Sequence, residues 1–210
     1  MVAAAVGAVT AIALGIAVAG GSAPTTVDAW VLATFQDWAP DAYATGLVLD
    51  FLGEPRGVLS LCLLVSLTCL GLGRWRLALV AVLAQGALGL VTTLVKPVVD
   101  REIHGGFLSY PSGHTAGTAA FALVVGLLVA DLAGRGRASG VVIVLGCTVI
   151  GGIGAAWAQT YLVAHYASDT VGGLALTLAV VPPLAFGVDL VVDRAVAALR
   201  RRRAPGGPDV

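Results

Sequence analysis

The sequence has little charge: 11% of its 210 residues are Asp, Glu, Lys or Arg, whereas a soluble domain has about a quarter. Apolar residues make up 58% of the chain and form long uninterrupted runs, which are typical of bilayer-spanning helices. The formal net charge is zero, so no overall field predicts a nucleic-acid partner. These features exclude an ordinary soluble enzyme and predict an integral membrane protein.

Cysteine and lysine are scarce. The three cysteines, Cys62, Cys69 and Cys147, all lie inside apolar runs. None has a partner at zinc-ligand spacing, and a disulfide between them would have to form within lipid. We interpret them as small buried apolar residues and expect neither a metal nor a cofactor. Arginine outnumbers lysine eleven to one, a bias typical of a GC-rich bacterial genome.

Six apolar runs predict six membrane-spanning helices. They lie near 2–19, 57–73, 77–95, 115–133, 139–158 and 171–192. The first run is also compatible with a signal peptide, but no basic residue precedes it, and it exceeds the usual signal core of about 7–15 residues. We therefore predict one domain over 1–210, with a first transmembrane helix within 1–23 and helices two to six within 57–199.

The stretch 24–56 differs from the apolar runs around it. It interleaves acidic residues with Trp30, Phe35, Trp38 and Phe51. Indole rings favour the headgroup level of a bilayer, so we predict that this stretch lies along the outer interface.

The arginines predict the orientation. If six helices alternate, nine arginines fall on one side: Arg74, Arg76, Arg135, Arg137, Arg194 and the run Arg200 to Arg203. The positive-inside rule makes that side cytoplasmic. We therefore expect a multi-pass plasma-membrane protein with both termini inside, a basic cytoplasmic tail over 200–210, and the connections after helices three and five outside.

Those two outer connections contain all three histidines, His104, His114 and His165, together with Lys96 and Arg101. Ionisable residues at the ends of membrane helices are costly unless they are paired or solvated. Their clustering therefore predicts a functional site at the extracytoplasmic end.

The motifs in these connections resemble those of the type 2 phosphatidic acid phosphatase (PAP2) family, which shares its core fold with vanadium haloperoxidases. The family motifs are Lys-x6-Arg-Pro, Pro-Ser-Gly-His and Ser-Arg-x5-His-x3-Asp. Here the second is intact as 111–114, the third keeps His165 and Asp169, and the first begins at Lys96. The resemblance implies an all-α bundle of six transmembrane helices with the site at its outer end.

The chain departs from the family pattern at two places. Ile103 stands where the first motif has its arginine, although Arg101 matches a second arginine that members often carry five residues after the lysine. Ala158 and Gln159 replace the Ser-Arg of the third motif. Gln159 supplies no charge and no bidentate fork for phosphate.

The retained residues predict a histidine mechanism. His165 is the candidate nucleophile, Asp169 fixes its tautomer, and His114 is the general acid and then the general base. The predicted phosphate-binding residues are Lys96, Arg101, Ser112, Gly113 and Gln159. Two alternatives stay open: Lys96 as a membrane anchor, and Arg101 paired with the flanking Asp100 and Glu102. His104 has no family counterpart and is interpreted as structural or substrate-adjacent.

The predicted function is metal-independent hydrolysis of a lipid phosphate monoester or diphosphate through a phosphohistidine. The resemblance implies phosphatidic acid, phosphatidylglycerol phosphate or polyprenyl phosphates as substrate classes, with the bilayer and that lipid as the partners. One alternative is a catalytically impaired relative that binds or transports a lipid phosphate. Another is a vanadate-dependent oxidation enzyme. The oligomeric state is not predicted.

Overall fold

A computed structural model describes residues 1–134 and 136–203, which form eight α-helices and one short hairpin. The helices are α1 Val2–Val18, α2 Thr26–Trp38, α3 Tyr43–Phe51, α4 Pro55–Gly71, α5 Trp75–Val99, α6 Gly113–Leu132, α7 Arg137–Tyr161 and α8 Ala167–Arg203. Between α5 and α6, β1 (Glu102–Ile103) pairs antiparallel with β2 (Phe107–Leu108). Arg135 and most of the predicted basic tail, 204–210, lie outside the described residues.

The six apolar runs correspond to α1, α4, α5, α6, α7 and α8. Four of these, α5 to α8, are long and apolar enough to cross a membrane. Helices α1 and α4 have 17 residues each, about 25 Å of helix against a hydrocarbon core of about 30 Å. The all-helical membrane-type fold is therefore confirmed, and six crossings stay a prediction.

The predicted interfacial stretch folds into α2 and α3. A capping box starts α2, because Thr25 accepts a hydrogen bond from the Asp28 amide while Asp28 accepts one from the Thr25 amide. The side chains of Trp30 and Trp38 on α2 are 67% and 82% exposed. Exposed indoles on a short helix are consistent with the predicted position along the interface.

Small residues bring the apolar helices close together around α6. A Cβ atom at Gly151 of α7 would lie 2.5 Å from the Cβ of Ala122, and one at Gly126 of α6 would lie 2.9 Å from the Cα of Val144. At Gly7 of α1 an added Cβ would lie 2.5 Å from the carbonyl oxygen of Ala175 in α8. Glycine is required at these contacts because any side chain would push two helices apart.

Exposed ion pairs join the helices at the end of the bundle where α5 begins. Arg74 binds Asp131 at the end of α6. Arg76 binds two carboxylates of α8, Asp189 at 3.2 Å and Asp193 at 2.7 Å. Exposed pairs of this kind contribute little individually, roughly 0–1 kcal/mol each. The candidate site lies at the opposite end.

Candidate active site

The two motif histidines meet at the end of the bundle where α6 and α8 begin and α5 and α7 end. His114 lies in the first turn of α6, and His165 lies in the loop between α7 and α8. Their ring centroids are 6.4 Å apart, with the rings tilted by 54°. Residues that are far apart in sequence therefore face a common gap.

His165 is held in a tight loop. Its backbone amide donates to the carbonyl of Gln159 at 3.1 Å, and Val163 just before it has a φ of 58°. A left-handed conformation is rare for a β-branched residue and marks local backbone strain. The His165 side chain is 10% exposed, and its Nδ1 lies 3.7 Å from Oδ2 of Asp169. Nδ1 has no hydrogen-bond partner among the described residues.

Asp169 is fully buried in the first turn of α8, and donors hold both of its oxygens. Oδ1 accepts a hydrogen bond from Nη1 of Arg101 at 2.7 Å, and Oδ2 accepts one from the backbone amide of Tyr166 at 3.0 Å. These bonds fix the carboxylate with Oδ2 towards His165. Oδ2 lies 3.7 Å from Nδ1 of His165, and the role of Asp169 in fixing the tautomer stays a prediction.

Arg101 has partners that its sequence neighbours did not indicate. Its side chain is 1% exposed and binds Asp169 through Nη1 and Asp28 through Nη2, at 2.7 and 2.8 Å. The guanidinium also lies over the ring of Tyr166, 4.3 Å from its centroid. Both terminal nitrogens are therefore engaged with carboxylates. Nε is buried without a hydrogen-bond partner in the described part of the chain.

Asp28 is a buried site residue that the sequence motifs did not reveal. It lies on α2, and its side chain is 2% exposed. Burial is the largest single influence on the pKa of this carboxyl and raises it. Hydrogen bonds from Ser168, Thr25 and Arg101 together outweigh burial and lower the pKa from 3.8 to about 2. The only sequence signal was the Thr25-x-x-Asp28 capping pattern.

Ser112 and Gly113 form the start of α6. Ser112 is the buried N-cap, and its hydroxyl accepts a hydrogen bond from the amide of Thr115 at 3.3 Å. Its own amide donates to the carbonyl of Asp169 at 3.0 Å, which ties α6 to α8. A Cβ at Gly113 would approach only Thr92, at 3.9 Å, so the space beside this helix N-terminus is open. Helix N-termini favour bound anions.

His114 faces a second carboxylate, Asp50, at the end of α3. Its Nε2 lies 3.7 Å from Oδ1 of Asp50. The loop between α3 and α4 covers one side of the imidazole, because a Cβ at Gly53 would lie 2.5 Å from Cδ2 of His114. Asp50 was not among the predicted site residues, and no local pattern distinguishes it from the other acids of the interfacial stretch.

Gln159, which replaces the third-motif arginine, binds the same carboxylate. Its Nε2 donates to Oδ1 of Asp50, while its Oε1 is buried without a partner among the described residues. Asp50 therefore lies between Gln159 and His114. The predicted phosphate contact of Gln159 competes with this hydrogen bond.

Lys96 and His104 complete the predicted set. Lys96, half-buried in the last turn of α5, donates from Nζ to the carbonyl of Leu108 at 2.9 Å. His104 lies in the hairpin turn and contacts the carbonyl of Val163 through Nε2 at 2.7 Å. His104 thus joins the hairpin to the loop of His165. Within residues 1–134 and 136–203, no cluster of three or more His, Cys, Asp or Glu side chains has metal-site geometry.

Comparisons with known proteins relate both the sequence and the fold to one family. The sequence profile of the PAP2 superfamily matches residues 3–186. The fold resembles the crystal structure described as the first transmembrane PAP2 type phosphatidylglycerolphosphate phosphatase from Bacillus subtilis. The TM-score is 0.67 at 18% identity, over 92% of this chain and 98% of that one. A search of curated protein sequences found no match. At this identity the structural likeness establishes the fold alone.

Proposed function

Because this chain belongs to the PAP2 superfamily, we propose that it hydrolyses a phosphate monoester or diphosphate carried by a membrane lipid. The observation that carries the proposal is the pair of facing histidines, 6.4 Å apart, each with a carboxylate 3.7 Å from a ring nitrogen. A nucleophile must come within about 3–3.5 Å of phosphorus, and a proton donor must reach the leaving oxygen. A phosphoryl group between the two rings meets both requirements.

In the first step, Nε2 of His165 attacks phosphorus and the bond from phosphorus to the lipid oxygen breaks. Asp169 takes the hydrogen bond from Nδ1 and stabilises the positive charge that develops on the ring. His114 transfers a proton to the departing oxygen, so the lipid leaves as an alcohol, or as a phosphate if the substrate is a diphosphate. The products of this step are phosphohistidine, a neutral His114 and the lipid without the transferred phosphoryl group.

In the second step, His114 removes a proton from water as the water oxygen attacks phosphorus. The phosphorus–nitrogen bond breaks, inorganic phosphate leaves, and the electron pair returns to His165. Asp50, whose Oδ1 lies 3.7 Å from Nε2 of His114, is the nearby counter-charge when that ring carries the proton. At the end of this step His114 is protonated and His165 is neutral, as they were before the first step.

Phosphate binding rests on Lys96 and on the N-terminus of α6. Lys96 supplies a full positive charge, and Ser112 and Gly113 lie where the dipole of α6 favours an anion. The guanidinium of Arg101 is taken up by two carboxylates, so we assign it to positioning Asp169 instead of binding phosphate. This set is less positive than the family motifs imply.

The membrane-type fold supports a lipid substrate. The candidate spans α5 to α8 expose apolar side chains, so an acyl or prenyl tail can stay in the bilayer while its headgroup reaches the histidines. With the predicted orientation, the site faces the extracytoplasmic side and both termini are cytoplasmic. We propose phosphatidic acid, phosphatidylglycerol phosphate and polyprenyl phosphates as substrate classes, the second also being the one named for the similar Bacillus subtilis structure.

One specific observation favours a second candidate. Gln159 stands where the family motif has an arginine, and it is bonded to Asp50, so the site has one positive charge fewer than the motif implies. A PAP2-like protein that binds or transports a lipid phosphate without cleaving it is consistent with that change. The joint presence of His114, His165 and Asp169 in one gap favours hydrolysis.

The deciding experiment is phosphate release from a panel of lipid phosphates in detergent with EDTA present. We expect the wild type to release phosphate and His165→Ala to release none, with both proteins eluting as folded species. Release that disappears with EDTA would contradict the metal-independent mechanism. Lipid phosphate binding without release by the wild type would favour the binding protein.

A further inference from the structure

Asp28 receives hydrogen bonds from three separate segments of the chain. Oδ2 accepts from the amide and hydroxyl of Thr25, at 3.0 and 2.8 Å, and from Nη2 of Arg101 at 2.8 Å. Oδ1 accepts from the amide and hydroxyl of Ser168, at 2.8 and 2.7 Å. One carboxylate thus joins the start of α2, the end of α5 and the start of α8.

One of those segments carries Asp169, the orienting group of the proposed nucleophile, and another carries Arg101, which binds Asp169. Arg101 connects Asp28 to Asp169, and Ser168 is the residue immediately before Asp169. The hydroxyl of Ser168 also accepts a hydrogen bond from Nη1 of Arg101 at 2.6 Å. Asp28 is therefore linked to Asp169 in two ways: through the guanidinium of Arg101, which binds both carboxylates, and through Ser168, which precedes Asp169 in the chain.

Burial makes the loss of any one of these charges costly. Arg101, Asp28 and Asp169 are at most 2% exposed, and removing one member of a buried ion pair leaves an uncompensated charge that must rearrange. Without the Asp28 charge, the nearest rearrangement is a shift of the guanidinium towards Asp169. That shift would alter the oxygen that faces His165.

We propose that Asp28 is a positioning residue for the reaction, which through Arg101 and Ser168 holds Asp169 in the orientation that aligns His165. The role of His165 as nucleophile rests on the proposed function, whereas the orientation of its ring by Asp169 does not. Helix α2, outside the motifs of the family, is then part of the active-site architecture. Asp28 does not touch the phosphate gap, so its loss should impair turnover and leave substrate binding intact.

The test compares Asp28→Asn with Asp37→Asn, an exposed aspartate on the same helix. On the lipid phosphate that the wild type cleaves fastest, we expect Asp28→Asn to lower kcat about 10- to 100-fold. KM should change less than about twofold. Asp37→Asn should keep wild-type values. Wild-type kcat in folded Asp28→Asn would overturn the proposal, as would a loss confined to KM.

A second variant guards against misfolding of Asp28→Asn. Ser168→Ala removes the hydroxyl that bonds both Arg101 and Asp28, and it keeps the buried charges and the backbone hydrogen bond from residue 168 to Asp28. We therefore expect a decrease in kcat of about three- to tenfold with KM unchanged. A folded Ser168→Ala protein with wild-type kcat would count against the proposal even if Asp28→Asn does not fold.

Imidazole nitrogen spectra separate this proposal from the hydrolytic function. With three histidines in the chain, long-range proton–nitrogen correlations are assignable from single His→Gln variants. We expect wild-type His165 as the Nδ1-protonated tautomer, and Asp28→Asn to show mixed tautomers at His165 with the signals of His104 unchanged. An inactive wild type with this spectral change would refute hydrolysis and support positioning. An active wild type with unchanged His165 signals in Asp28→Asn would support hydrolysis and refute the positioning role of Asp28.

Discussion

The side-chain amide of Gln159 donates a hydrogen bond to the carboxylate of Asp50, which also lies 3.7 Å from Nε2 of His114. Gln159, which replaces an arginine of the family motif, therefore binds the carboxylate next to His114, the proposed general acid. The consequence is electrostatic. Where the family motif has a cation, this chain has an uncharged amide that is bonded to a carboxylate.

Asp50 should weaken anion binding while it assists proton transfer. In Asp50→Asn, orthovanadate should inhibit about three- to tenfold more strongly because a nearby negative charge is gone, and kcat should fall because His114 loses its charge partner. Steady-state kinetics with orthovanadate as inhibitor measure both effects. Asp41→Asn, an exposed aspartate before α3, is the matched control. Unchanged inhibition together with unchanged kcat would place Asp50 outside the site.

The requirement for His114 should depend on the leaving group. A p-nitrophenolate leaves without protonation, so His114→Ala should cleave p-nitrophenyl phosphate in one fast turnover and then stall at phosphohistidine. With a lipid alcohol as the leaving group, the same variant should be slow from the first turnover. Rapid-quench release of p-nitrophenol, with acid-labile phosphoprotein trapped in parallel, measures this. Equal losses on both substrates, with no burst, would argue against His114 as the general acid.

The ionisation of Asp28 should appear in stability at low pH. Because its pKa is lowered from 3.8 to about 2, its contribution is fully present above about pH 4 and is lost as the pH falls through about 2. Asp28→Asn should therefore show a flatter decline in unfolding temperature between about pH 4 and 2 than the wild type. Thermal unfolding in a nonionic detergent measures the difference. Parallel curves for the two proteins would contradict the lowered pKa.

The predicted orientation is testable at the hairpin. Phe107 is exposed next to the site, so Phe107→Cys should react with an impermeant thiol reagent added to intact cells. Ser139→Cys, exposed in the first turn of α7 at the other end of the bundle, should react only after lysis. The opposite pattern would invert the topology. The native cysteines lie in apolar helices, and the parent protein provides the labelling background.

Long apolar runs and the motif histidines could be predicted because each is a local signal. The runs correspond to helices α1 and α4 to α8, and the same pattern predicts that His114 begins one helix and that His165 comes just before another. Runs alone did not show that α1 and α4 are only 17 residues long, and composition cannot set the exact end of a helix.

Asp169 was predicted from its motif, whereas the roles of Asp28 and Asp50 could not be predicted because their partners are distant in sequence. Arg101 and Asp28 are 73 residues apart, and Gln159 and Asp50 are 109 apart. The sequence offered Asp100 and Glu102 as partners for Arg101, since they flank it. In the folded chain the guanidinium instead turns into the bundle, where two buried acids need a counter-charge.

Gly53, whose missing side chain lets the loop between α3 and α4 rest against one side of His114, also constrains how a substrate enters. With backbone on that side, the imidazole presents its accessible side to the gap shared with His165. In the proposed mechanism, a phosphorus atom between the two rings would have its attacking nitrogen on the side of His165 and its departing oxygen on the side of His114. This is the in-line arrangement that phosphoryl transfer requires. A residue without a side chain would then help to set the direction of bond cleavage.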